Sequence, residues 1–215
     1  MFVRPCWTPR SPADVRSLIA EHPWALLVSN GPDRPLATNL PMLMEEPAAE
    51  ALEEMVLVSH LARANAHLAQ LRSTTAEVLA IFEGPWSYVT ASWCPDRQMP
   101  STYYYTAVHC YGQLEFQDEP ALDASLVDLV NRMEARHPQP WRTDEIPRSE
   151  ITRRFAGIAG FRMRVRRVEA KFKLGQDEPL RDALAVADEL ATHDTEMDRT
   201  LARMIREQNA NRGAL

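Results

Sequence analysis

The sequence predicts an α+β fold, mainly β: a small closed or partly closed barrel with peripheral helices. Three observations point there. Residues 102–116, TYYYTAVHCYGQLEF, alternate as one long strand, with Val108, Cys110, Leu114 and Phe116 on one face and His109, Tyr111, Gln113 and Glu115 on the other. Regular strand–helix alternation is missing, which argues against a doubly wound parallel sheet. No repeat of about 20–50 residues is present, which argues against solenoids and propellers.

Each element follows from local chemistry. Ser11-Pro12-Ala13-Asp14 opens a helix, with serine as cap, proline in the first turn and Asp14 at the positive end of the dipole. Val15, Leu18 and Ile19 give its buried stripe, and His22-Pro23 stops it. WALLVSN and LATNLPM are two strands joined by the turn NGPDRP, a hairpin. EEPAAEALEE is a solvated acidic connection, MVLVSH a third strand and AEVLAIFEG a fourth. Between those two strands a helix begins near Ala62 to Asn65, with Leu61, Leu68 and Leu71 on one face.

WSYVTASW is a fifth strand candidate, and CPDRQMPS projects as a loop. Leu122, Leu126, Leu129, Val130 and Met133 define an amphipathic helix from about Pro120 to Arg136. HPQPWRTDEIP is a proline-broken surface connection. In IAGFRMRVRRVEAKFKL, Phe161, Met163 and Val165 alternate with Arg162, Arg164 and Arg166, a strand signature. Two helices follow Glu178, one with Leu180, Leu184 and Leu190, the other with Met197, Leu201 and Ile205. The chain therefore divides into a domain over residues 1–190 and a C-terminal helical extension over 191–215.

The 215 residues are 45% apolar and 25% charged, which is globular composition with enough apolar side chains for a sizeable core. The net charge of −6 argues against nucleic-acid binding through whole-protein charge. No run of about 18 apolar residues exists, and the N-terminal residues lack the apolar segment of a signal peptide, so a cytoplasmic location is expected. Cys6, Cys94 and Cys110 are odd in number and widely spaced, as reduced thiols rather than a disulfide frame or a zinc site.

The richest polar stretch is SHLARANAH, residues 59–67. His60 and His67 stand seven apart, two helical turns rather than the single turn of a zinc-binding pair. Two readings stay open. The helix start, with its unpaired N–H groups, its dipole and the fork of Arg63, suits a phosphate monoester. Alternatively His60 or Asn65 caps the helix and Arg63 faces water. Tyr103, Tyr104 and Tyr105 with Trp86 and Trp93 are candidates for stacking on a planar ring or for a subunit interface. The basic stripe of Arg162, Arg164, Arg166, Arg167, Lys171 and Lys173 either tracks a phosphate backbone or pairs with acidic residues, and the acidic total favours the second.

Together, LATNLPM, SHLARANAHL, AIFEGPWSYVTASW, STYYYTAVHCYGQLEF and GFRMRVRRVEAKFKLGQD, in this order, resemble the PaiB-like FMN-binding negative transcriptional regulators, relatives of the pyridoxamine-phosphate-oxidase-type split barrels. The resemblance runs to about residue 190. It implies a six-stranded FMN-binding split β-barrel, a homodimer, and FMN in clefts at the dimer interface. On this resemblance His60, Arg63 and Asn65 hold the FMN phosphate, and Lys171, Lys173 and Gln176 complete the site, from the same or the other subunit. Ser101 to Tyr105, including Thr102 and Tyr103, lie near the ring system.

The sequence also departs from the family pattern. Asn39 replaces a histidine, Tyr103-Tyr104 replaces Trp-Asn, Cys94 replaces a tyrosine, and Gly175 and Asp177 replace serine and asparagine. A lost hydroxyl and an added carboxylate both disfavour an anion nearby. Two alternatives follow. One is an enzyme on the same scaffold, either a flavin-dependent oxidoreductase or a specialised-metabolite enzyme whose pocket has lost FMN, with Tyr103, Tyr104 and His109 as its polar groups. The other is a haem-binding relative with His60 or His109 as axial ligand.

Overall fold

The computed structural model describes residues 1–47 and 49–213. Helix α1 (Pro12–Glu21) precedes the hairpin of β1 (Trp24–Asn30) and β2 (Pro35–Met44), whose register runs from Asn30↔Pro35 to Trp24↔Pro41. Strand β3 (Val56–Ala62) leads into α2 (Ala66–Ser73), and β4 (Val78–Val89) and β5 (Thr102–Phe116) follow. Helices α3 (Glu119–Glu134) and α4 (Arg148–Phe155), strand β6 (Ile158–Lys173), and helices α5 (Leu180–Ala191) and α6 (Glu196–Asn209) complete the chain.

The neighbour order is β1-β2-β3-β6-β5-β4, and β1 also pairs antiparallel with β4. This is the mainly antiparallel, six-stranded class expected from the sequence. Two compact units divide the chain, one of Ile19–Ile81 and Cys110–Val168, the other of Met1–Leu18, Phe82–His109 and the residues from Glu169 onward.

In the first unit β3 lies between β2 (Met42↔Ser59) and β6 (Ser59↔Phe161). Its inward side chains Leu57 and Leu61 are buried with Leu27, Met42, Leu71 and Phe161. Fully burying such a side chain contributes about 1.5–3 kcal/mol, so this alternation fixes the register and hence what each face presents. In the second unit α5 packs on α6, burying Ala183, Val186, Ala187 and Leu190 against Leu201 and Ile205. Leu184 and Met197, expected on those buried stripes, are exposed instead, because the contact is made by Ala183, Val186, Ala187 and Leu190 of α5 and by Leu201, Ala202 and Ile205 of α6.

Other differences from expectation have physical causes. The fourth and fifth strands are one, β4, which runs through Gly84-Pro85. A Cβ at Gly84 would lie 2.3 Å from the Thr106 hydroxyl, and that hydroxyl donates to the Pro85 carbonyl at 3.3 Å. The pair therefore marks a close approach rather than a turn. Helix α4 begins at the end of the supposed connection, and its single buried residue, Ile151, leaves no apolar period to read. Helix α2 starts at Ala66, later than expected, and Leu61 belongs to β3 because β3 continues pairing to Ala62↔Ile158.

Candidate functional site

At the β3–α2 junction, the structure decides how each residue of SHLARANAH is used. His60, on β3 opposite Gly160, is half-buried and lines a cavity of about 240 Å³ with Pro41, Leu43, Val58, Leu126 and Arg132. Burial lowers its imidazole pKa from the ordinary 6.5. The Arg63 amide donates to the Gly157 carbonyl at 2.9 Å, and its Nε donates to the Ala156 carbonyl at 3.0 Å. The exposed remainder of its guanidinium lines a second cavity, of about 460 Å³, with Glu119, Asp123, Arg148 and Phe155.

Asn65 is the helix cap. Its Oδ1 accepts from the His67 amide at 2.9 Å, and its Nδ2 donates to the Thr38 hydroxyl at 3.3 Å. His67 is a core histidine, with Nε2 2.8 Å from the Ser29 hydroxyl and Nδ1 2.8 Å from the Thr38 hydroxyl. Burial lowers its pKa as well. Hydroxyls both donate and accept, so they satisfy either tautomer of a neutral ring. This network has a trace in the sequence, since Ser29 falls on the buried alternation Ala25, Leu27, Ser29 of β1. Among the described residues no group of three or more His, Cys, Asp or Glu side chains is placed to hold a metal ion.

The second set of predicted residues lies where β5 starts and β6 ends. Lys173 Nζ donates to the Thr102 hydroxyl at 2.5 Å. Lys171 is 8% exposed, and its Nζ sits 4.5 Å from the Trp7 ring centroid, 5.0 Å from that of Tyr105 and 5.9 Å from that of Phe2. The Gln176 amide is used locally, Oε1 accepting from Leu174 N at 2.7 Å and Nε2 donating to the Phe172 carbonyl at 2.5 Å. Tyr103 is exposed, edge-on to Tyr88 at 5.5 Å and tilted to Trp86 at 6.2 Å.

The departures also receive roles. Tyr104 is fully buried, with its hydroxyl 3.9 Å from Met99 Sδ, and burial pushes its pKa up. Gly175 has φ +80°, and a Cβ there would lie 2.7 Å from the Tyr104 hydroxyl. The tyrosine thus fills the space a serine would need, so the two replacements form a matched pair. Asp177 is occupied: it accepts from Arg4 Nη1 at 2.8 Å and from Trp7 Nε1 at 3.1 Å. Asn39 is exposed on β2, and Cys94 is a buried free thiol.

The basic stripe is partly engaged. Arg162 pairs with Glu45 and Arg164 with Glu115, while the Arg167 guanidinium lies 3.9 Å from the Tyr111 ring centroid. Arg63, Lys171 and Lys173, by contrast, make no ion pair with a carboxylate among the described residues.

Residues 1–167 match the family described as "Putative FMN-binding domain". The chain belongs to that family. FMN is accordingly its cofactor. A phosphate needs cations that no carboxylate has taken in an ion pair, and Arg63, Lys171 and Lys173 each meet that condition among the described residues. The chain is also 24% identical over 197 residues to "Protease synthase and sporulation protein PAI 2" of Bacillus subtilis (strain 168), covering 91% of each.

Among solved structures, it is similar to the FAD and heme binding protein from Mycobacterium smegmatis. The TM-score is 0.57, the identity 18%, and the match covers 78% of this chain and 73% of that one. It is also similar to the flavocytochrome Anf3 from Azotobacter vinelandii, with TM-score 0.58, identity 14%, and coverage of 89% of this chain and 74% of that one. At these identities the structures establish the shared fold alone. Among the described residues no helix is long and apolar enough to cross a membrane.

Proposed function

We propose that this chain is a homodimeric, cytoplasmic FMN-binding protein of the PaiB type, with the flavin phosphate held at the β3–α2 junction. Arg63 supplies the charged fork, Asn65 sets the helix start, and His60 borders the site. Lys171, Lys173 and Gln176 complete it from the second subunit, and Thr102 and Tyr103 lie against the ring system. The observation that carries this reading is the family match over residues 1–167, which takes in the first set together with Thr102 and Tyr103. The lysines lie beyond the matched residues and enter on chemistry: each is a cation without a carboxylate partner, as a phosphate ligand requires.

Regulation of transcription belongs to this reading as an indirect role, because Arg162 and Arg164 are engaged by Glu45 and Glu115 rather than offered to a nucleic acid. The flavin brings redox chemistry when bound, while the chain orients it and sets its electrostatic surroundings.

The visible absorption spectrum of purified protein tests the reading. Flavin bands that survive gel filtration at a dimer's elution volume are the expected result. Colourless protein whose addition leaves FMN fluorescence unquenched would sink it and turn attention to an enzyme on the same scaffold. A Soret band would place haem there instead.

A further inference from the structure

Lys171 is an unusual use of a charge. The residue is only 8% exposed, yet among the described residues its ammonium has neither an ion pair nor a hydrogen bond. Its neighbours are the rings of Trp7, Tyr105 and Phe2, and two of these come from the first seven residues. The Trp7 ring also stands 5.7 Å from Lys173 Nζ. Cation–π contact offsets only part of the cost of burying an ammonium, and a hydrogen-bonded oxyanion offsets more. An oxyanion needs an approach to about 3 Å, and the Trp7 ring, its centroid 4.5 Å from Nζ, takes up part of the space it would occupy.

The segment carrying those rings is fastened to the same stretch of chain. Asp177 takes both the Arg4 guanidinium and the Trp7 indole N–H, and the Trp7 amide donates to the Arg4 carbonyl at 2.9 Å in a 3-10 turn over Pro5–Trp7. The carboxylate that looked hostile to a phosphate is therefore the latch of a strap. We propose that Phe2–Trp7 is an autoinhibitory strap, latched by Asp177, which covers Lys171 and Lys173 and must lift for a phosphate group to reach them. This rests on the reading that those lysines serve the flavin phosphate. The strap and the phosphate exclude one another, so each weakens the other by the same factor.

The test is amide hydrogen exchange at Trp7 and Thr8, alongside FMN titration, in wild type and in Arg4→Ala, whose side chain is half exposed and whose fold is checked by circular dichroism. Saturating FMN is expected to speed exchange at both amides in the wild type. Arg4→Ala is expected to exchange fast without ligand and to bind FMN at least about fivefold more tightly. Inorganic phosphate should speed exchange more than sodium chloride of equal ionic strength, and Lys171→Met should abolish that difference. Equal FMN affinity in both proteins, with exchange unchanged on saturation, would overturn the strap while leaving flavin binding standing. If neither protein binds FMN, the flavin reading fails and the phosphate arm decides: faster exchange than in chloride upholds the strap, and no difference overturns it.

Discussion

Around the start of α2, the buried polar groups find neutral partners: Asn65, His67, Thr38 and Ser29 form one connected network. Around the end of β6, Lys171 is buried against rings alone, and Asp177 is spent on the N-terminal segment. The first arrangement is complete in itself and forms a platform, beside which Arg63, tied to the Gly157 and Ala156 carbonyls, has no ion pair among the described residues. The second is held closed although a charge remains unpaired, so it gains from an anion. A satisfied network specifies structure, whereas an unsatisfied charge points to a ligand.

The largest effect expected from this contrast is at the platform. His67→Ala leaves the buried Ser29 hydroxyl without its partner and removes one of the two partners of Thr38, beside a cavity, and should cost about 2–4 kcal/mol in urea unfolding. A loss under about 0.5 kcal/mol would mean that Ser29 and Thr38 re-pair and the network is dispensable. Next, Gly175→Ser forces a side chain into a positive-φ position against Tyr104 and should cost about 1–3 kcal/mol. In a Tyr104→Phe background that cost should shrink. Equal costs in both backgrounds would break the pairing of the two replacements.

Asn65 separates cap from ligand. Asn65→Ala should lose about 1 kcal/mol of stability, while Asn65→Asp keeps an equivalent cap and stability but weakens FMN binding by adding a negative charge. Unchanged FMN affinity in Asn65→Asp would remove the phosphate from this junction. The smallest effect is on acidification. Burial holds the pKa values of His67, His60, His22 and His109 below 6.5 in the folded state, so the unfolded chain takes up protons first. Their contribution is therefore fully present above about pH 6.5 and is lost as pH falls below it. Melting temperature should drop between pH 7 and 5, and less so in His67→Gln than in wild type. An equal drop in both would exonerate His67.

Much of this was legible in the sequence where period and burial agree. Strand β1 and the alternation of β5 follow from their own residues, since a half-buried strand needs every second side chain apolar. Helix α4 was hidden because arginines cover it and only Ile151 is buried. The helix start at SHLARANAH was legible only to within a few residues, with the cap left between His60 and Asn65, and the role of His67 was not legible. Its partners Ser29 and Thr38 lie 38 and 29 residues away. The strap was least legible: Arg4 and Trp7 meet Asp177 across 173 and 170 residues, and no local pattern encodes such a contact. The departure at Asp177, a weakness when read alone, became intelligible only beside its partners.

We propose that an FMN phosphate rests on the platform through Arg63. Titration of FMN against wild type and Arg63→Ala, followed by quenching of flavin fluorescence, tests it most directly. Losing a charge-assisted contact predicts affinity weaker by about tenfold or more in the variant, with the fold unchanged by circular dichroism. Equal affinity in the two proteins would contradict it.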